Sequence, residues 1–89
     1  MDAKALNAGY EVLSETLIEA RRDAELTQAK LAERLGKPQS FVSKYERGER
    51  RLDVVEFIFV VRALDLDLEA MITAIDMNTP TNKRRGRWK

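Results

Sequence analysis

The turn Gly36-Lys37-Pro38 constrains the fold of this chain more than any other feature of its sequence. It separates two short segments, 28–35 and 39–47, in which apolar residues recur at helical spacing. Glycine adopts the left-handed conformation that ends a helix, and proline stops one helix while suiting the start of the next. Because the turn is so short, we expect the two helix axes to cross at about 90–120°.

Three other segments, 9–24, 54–64 and 68–75, are also predicted to be helical from apolar spacing and from the residues that precede them. No segment has the alternation of apolar and polar residues that is typical of strands. We therefore expect an all-α fold, a compact five-helix bundle formed by residues 1–77. Residues 78–89 are polar and basic, and we predict that they form a disordered tail.

Composition excludes several classes of function. The chain has no histidine and no cysteine, so it lacks the residues of His-dependent nucleophilic catalysis and of the usual zinc sites. We therefore expect no enzyme activity, no metal and no cofactor. No apolar run reaches the ~18 residues that span a membrane, and the first residues do not resemble a signal peptide. These features predict a cytoplasmic protein with no membrane partner.

Basic side chains are concentrated in two parts of the chain. Residues 28–51 hold seven basic and three acidic side chains, and the last seven residues hold five basic and no acidic ones. Such an asymmetry orients a protein toward a polyanion. The tail, which includes Trp88, has three interpretations: a solubilising end, an arm that follows DNA phosphates or enters a minor groove, or a contact for a protein partner.

Polar side chains cover the predicted exposed side of the segment 39–47. They are Gln39, Ser40, Ser43, Lys44 and Arg47. An α-helix fits the major groove of DNA, where amide, hydroxyl and amine groups read base edges. We therefore expect this segment to be a recognition helix.

Residues 26–57 read LTQAKLAERLGKPQSFVSKYERGERRLDVVEF. This sequence resembles the helix-turn-helix domains of phage repressors and Cro proteins, the xenobiotic-response-element family of bacterial regulators. The resemblance extends over about 17–75, which is most of the helical part of the chain. It implies a lambda-repressor-like bundle of five helices that binds operator DNA, usually as a two-fold dimer.

The resemblance also implies roles for individual side chains. The positions that contact bases are matched by Gln39, Ser40 and Lys44. Ser43 lies beside them and is assigned to the base contacts, with a phosphate contact as the alternative. The positions that contact phosphates are matched by Gln28, Arg47, Arg50 and Arg51. Arg21 and Glu46 match an ion pair that ties the first helix to the third, so we expect their role to be structural. Pro38 departs from the family, which often has a serine or threonine cap there.

The fourth predicted helix has more apolar residues than one core face can hold. The residues expected in the core are Val54, Phe57, Val60, Val61 and Leu64. Val55 and Phe59 lie roughly opposite, with Ile58 on the flank. Exposed apolar side chains commonly mark an interface, so we predict a homodimer through these three residues. The alternative is that the fifth helix or the N-terminal residues cover them.

The sequence therefore predicts a sequence-specific DNA-binding transcriptional regulator, expected to be a repressor. Its segment 39–47 would lie in the major groove of double-stranded DNA. Two alternatives remain open: an antitoxin-type regulator that also binds a cognate toxin, and an interaction domain that does not bind DNA. The polar, basic side of the third helix argues against the second alternative.

Overall fold

Five helices follow one another with short connections. The computed structural model describes residues 2–80, which form α1 (Ala3–Asp23), α2 (Gln28–Leu35), α3 (Gln39–Glu46), α4 (Val54–Ala63) and α5 (Leu68–Asn78). No strand occurs within this range. The predicted all-α fold of five helices is therefore confirmed. Most of the predicted tail, residues 81–89, lies outside the described residues.

Side-chain caps fix where most of the helices begin. Asp2, Thr27 and Asp67 accept a backbone N–H from the first turn of α1, α2 and α5. Asp53 does the same for α4 and forms a capping box, because Glu56 accepts the Asp53 backbone N–H in return. These bonds satisfy donors that the first turn of a helix otherwise leaves unpaired.

The turn between α2 and α3 has the geometry that its sequence predicts. Gly36 has a φ of 67°, in the left-handed region, and closes α2. The backbone N–H of Lys37 donates to the carbonyl of Ala32 at 3.0 Å, which completes the helix end. Pro38 precedes α3 and gives it no side-chain cap. The connection between α2 and α3 therefore consists of Gly36, Lys37 and Pro38 alone.

The core is built from one or two buried residues of every helix. Its fully or almost fully buried members are Leu17, Leu31, Ala32, Val42, Tyr45, Val60, Val61, Leu64 and Met71. The helix α3 packs on α2 and α1, and α4 packs on α2 and α5. The helix α3 therefore packs against the bundle with one side, while its other side faces solvent.

Three details of the sequence prediction were wrong. The first helix begins at Ala3 rather than at Gly9, because Asp2 caps it and alanine-rich sequence continues it. The helix α5 continues to Asn78 rather than ending at residue 75. Val54 is 73% exposed rather than part of the core, because the residues of α4 that pack on the core, among them Val60 and Val61, begin only at Phe57.

Candidate nucleic-acid interface

The helix α3 has one buried and one polar side. Val42 and Tyr45 are buried against the bundle. Gln39, Ser40 and Lys44 are exposed, and Ser43 is partly buried. Because the two sets alternate with helical period, the polar side forms one continuous surface about two turns long. The α3 side chains predicted to contact bases all belong to this surface.

A chain of hydrogen bonds connects the start of α3 to the interior. Gln39 Nε2 donates to Gln28 Oε1 at 3.3 Å, and Gln28 Nε2 donates to Glu46 Oε1 at 2.9 Å. Glu46 in turn accepts bonds from Arg21, from Nε at 2.7 Å and from Nη2 at 3.0 Å. Gln39 and Gln28 are thus oriented by a buried ion pair rather than by solvent.

The Arg21–Glu46 pair joins three helices at their ends. The two side chains are only 10% and 5% exposed, and hydrogen bonding to Glu46 raises the pKa of Arg21 above its usual value. The remaining guanidinium nitrogen, Nη1, donates to the carbonyl of Leu26 at 2.7 Å. A buried ion pair is stable when its geometry is bidentate and further hydrogen bonds satisfy its remaining polar atoms, and the Arg21–Glu46 pair meets both conditions.

Arg47 is held within its own loop. Its guanidinium forms two bonds to Glu49, at 2.9 and 3.0 Å, and a third to the Ser43 hydroxyl at 2.6 Å. Hydrogen bonding to Glu49 raises the pKa of Arg47, and the reciprocal bond lowers the pKa of Glu49. Because solvent screens the exposed Arg47–Glu49 pair, Arg47 can leave Glu49 for another anionic partner at little cost in free energy. Ser43 and Arg47 therefore form one polar unit at the end of α3.

Arg50 connects the loop to the beginning of α4. It forms two bonds to Glu56, at 2.9 and 2.7 Å, and lies 4.9 Å from the centroid of the Phe41 ring. Hydrogen bonding to Arg50 and to the Asp53 backbone lowers the pKa of Glu56 to about 2. The geometry indicates that Arg50 orders the loop, in addition to any contact that it makes with a ligand.

Arg51 is the loop arginine whose charge is least compensated. Its guanidinium carbon lies 4.0 Å from the centroid of the Tyr10 ring on α1, a cation–π contact that leaves the N–H groups at the ring edge available. Among residues 2–80, no carboxylate lies within ion-pair distance of Arg51 or of Lys44. These two side chains are therefore ready to bind an anion or an acceptor.

The apolar surface predicted on α4 is larger than expected. Val55 and Phe59 are 59% and 55% exposed, and Ile58 is partly buried. Val54, which we had assigned to the core, extends this surface toward the N-terminus of α4. Neither α5 nor α1 covers Val55 and Phe59, which was the alternative considered from the sequence.

Sequence reasoning missed four side chains that shape the loop. They are Tyr10, Phe41, Glu49 and Glu56. Glu56 had a local signal, because a glutamate three residues after an aspartate cap predicts a capping box. No local sequence signal predicts the role of Tyr10, because its contact with Arg51 depends on how α1 packs beside the loop.

Within the described range, no three histidine, cysteine, aspartate or glutamate side chains lie together in a group that could hold a metal ion. Among the five helices described, none has the length and apolarity that crossing a membrane requires.

Comparisons with known proteins agree with this geometry. Residues 17–71 match the helix-turn-helix family. A solved structure of an XRE-family like protein from Pseudomonas syringae pv. tomato str. DC3000 is 47% identical in sequence, with a TM-score of 0.82 over 88% of this chain and 95% of that one. The structure of the clp gene regulator ClgR from C. glutamicum is 22% identical, with a TM-score of 0.71 over 81% and 92%, and supports the fold. No curated protein matches the chain.

Proposed function

We propose that this chain is a repressor that binds an operator as a homodimer. The chain belongs to the helix-turn-helix family of DNA-binding transcriptional regulators rather than to a family of enzymes. The observation that supports the operator site best is the exposed polar surface of α3, fixed from behind by the Arg21–Glu46 pair. The helix would enter the major groove and occupy a promoter. Because the proposed partner is DNA, we also propose that the protein is located in the cytoplasm.

Gln39 and Lys44 are proposed to read bases, with Ser40 and Ser43 beside them. The amide of Gln39 uses one N–H on Gln28, which leaves its second N–H and its oxygen for the N7 and N6 groups of adenine. Lys44 is exposed, and its ammonium suits the acceptors O6 and N7 of guanine. Preorganisation of Gln39 lowers the entropy that DNA binding would otherwise cost.

Substitution of the two base-reading residues tests this assignment. Gln39→Ala and Lys44→Ala should each remove discrimination of ~1–3 kcal/mol at one base pair of each half-site. The measurement is selection of bound sites from randomised duplex DNA by the parent and by each variant. Arg62→Ala, an exposed substitution on α4, is the control and should select the parent site. An unchanged site with both residues replaced would contradict the assignment.

Gln28, Arg47, Arg50 and Arg51 are proposed to contact phosphates, and Arg51 gives the sharpest test. Arg51→Ala should weaken binding to the selected site and to random duplex alike, because a phosphate contact carries no sequence information. The slope of log K against log salt should fall in magnitude by ~0.9 per subunit. Arg62→Ala, which removes the same charge, should leave the slope unchanged. A loss restricted to one base preference would show that Arg51 reads a base instead.

The exposed apolar residues of α4 support the dimer. We define the α4 patch as Val54, Val55, Ile58 and Phe59. A patch of this kind on so small a domain is typical of an interface, and a two-fold axis lets the patch pair with itself. Two recognition helices would then contact half-sites about one helical turn apart, roughly 34–36 Å between centres.

A further inference from the structure

We infer that Tyr10 is a positioning residue for DNA binding, because its ring holds the guanidinium of Arg51 in the orientation in which Arg51 contacts a phosphate. This inference rests on the proposed function, in which Arg51 is a phosphate contact. It gives a role in recognition to the N-terminal part of α1, since Tyr10 precedes residues 17–71, which match the helix-turn-helix family.

The backbone of Arg51 is fixed by the residue before it. Arg50 Nη1 donates to the carbonyl of Arg51 at 3.1 Å, and the same nitrogen donates to Glu56 Oε1 at 2.9 Å. Glu56 is itself held in the capping box of α4 by Asp53. The exposed side chain of Arg51 is therefore the part of this residue that still needs a partner.

The ring of Tyr10 supplies this partner. The guanidinium carbon of Arg51 lies 4.0 Å from the ring centroid, well within the range of a cation–π contact. Such a contact uses none of the N–H donors of the guanidinium in hydrogen bonds, so they are available to a phosphate. A long side chain that is already held in place loses less conformational entropy on binding, and the contact therefore favours binding of the phosphate.

The ring is held in place by the packing of α1 on α5. Tyr10 is partly buried and lines a groove together with Leu13 of α1 and Ile75 of α5. A Cβ on Gly9 would lie 3.2 Å from Thr79 Cγ2, so α1 and the end of α5 approach each other closely beside the ring. Tyr10 is thus a support that the bundle fixes independently of the loop.

An aromatic partner differs from the carboxylate partners of the other two loop arginines. Glu49 and Glu56 hold those arginines in ion pairs, so a phosphate that approaches them competes with a bound carboxylate. The ring of Tyr10 offers a π face instead of a negative charge, and a phosphate can bind Arg51 without displacing the ring. Arg51 can therefore keep the orientation of the free protein when DNA is bound.

The experiment is a double-mutant cycle between Tyr10 and Arg51 in the full chain. Tyr10→Leu removes the aromatic face and Tyr10→Phe keeps it, and Tyr10→Leu is also combined with Arg51→Ala. Leu6→Ala is the matched control, because Leu6 lies one turn before Tyr10, lines the same groove and is 40% exposed. Affinity for a duplex selected by the parent and for random duplex is measured across a salt series.

We expect Tyr10→Leu to weaken binding to both duplexes by a factor of about 2–5 per subunit, which is the contribution of an exposed cation–π contact. Tyr10→Phe and Leu6→Ala should bind like the parent. In the Arg51→Ala background Tyr10→Leu should cause no further loss, since the ring then has no guanidinium to hold. An equal loss in both backgrounds would show that Tyr10 acts through the stability of α1, and would overturn the inference.

A second measurement uses the folded parent and does not depend on affinity. The ring current of Tyr10 should shift the Nε proton of Arg51 upfield in the NMR spectrum, and this shift should persist when the selected duplex is added. Loss of the shift on addition of DNA would overturn the inference, as would equal affinities of the parent and Tyr10→Leu. In those cases a retained base preference shows that the proposed function still holds, whereas a parent that selects no site refutes the proposed function itself.

Discussion

Replacing Glu46 with alanine is expected to lower the free energy of unfolding by about 3–5 kcal/mol, because it leaves the buried guanidinium of Arg21 without its partner. Three hydrogen bonds to the carboxylate disappear, two from Arg21 and one from Gln28. In a domain of this size 1 kcal/mol corresponds to ~4–8 °C in Tm, so thermal unfolding measures the effect easily. A large loss is expected because the pair joins the ends of α1, α2 and α3.

Glu49→Ala is the matched control, since it removes an arginine-bound glutamate three residues away that is exposed. Its Tm should remain close to that of the parent. The double variant Arg21→Ala/Glu46→Ala should recover part of the stability lost in Glu46→Ala, because no unpaired charge stays buried. If Glu46→Ala unfolds at the temperature of Glu49→Ala yet no longer binds DNA, the carboxylate acts in recognition rather than in stability.

The helix-turn-helix itself was predictable because its signals are local. Thr27, Gly36 and Pro38 determine helix ends through their own backbone and side-chain geometry, and α2 and α3 begin where these residues predict. The polar side of α3 was likewise readable from helical period alone. No distant part of the chain has to be known for either inference.

What could not be predicted depends on packing between distant segments. The period of α4 assigns Val54 to the core, but in the structure the contacts of α4 with the core begin only at Phe57. The contact of Arg51 with Tyr10 joins residues 41 positions apart, and the bond of Arg50 to Glu56 crosses the loop between two helices. The family resemblance implied one shared role, a phosphate contact, for Arg47, Arg50 and Arg51, whereas the structure gives each of them a different partner.

Replacing Phe59 with glutamate should convert the protein to a monomer and lower its affinity for the selected operator by a factor of ~10²–10⁴, because two half-sites no longer act together. The side chain is 55% exposed, so the variant should keep the helix content of a folded chain, and its Tm should fall only by the stabilisation that dimerisation gives the parent. Sedimentation at high micromolar concentration gives the oligomeric state of parent and variant, and operator titration gives the affinity. Inserting about half a turn of DNA between the half-sites should weaken the parent in the same way.

Met77→Glu is the matched control, since it places the same charge on an exposed apolar residue of α5. It should leave the dimer and its affinity intact if the α4 patch is the interface. Dissociation by Met77→Glu and not by Phe59→Glu would move the interface to α5, and a parent that sediments as a monomer would refute the dimer altogether. A loss of helix content in Phe59→Glu at room temperature would instead assign the ring to the stability of the monomer fold. Only dimer loss confined to Phe59→Glu, in a variant that keeps the helix content of the parent, is consistent with the α4 patch pairing across a two-fold axis.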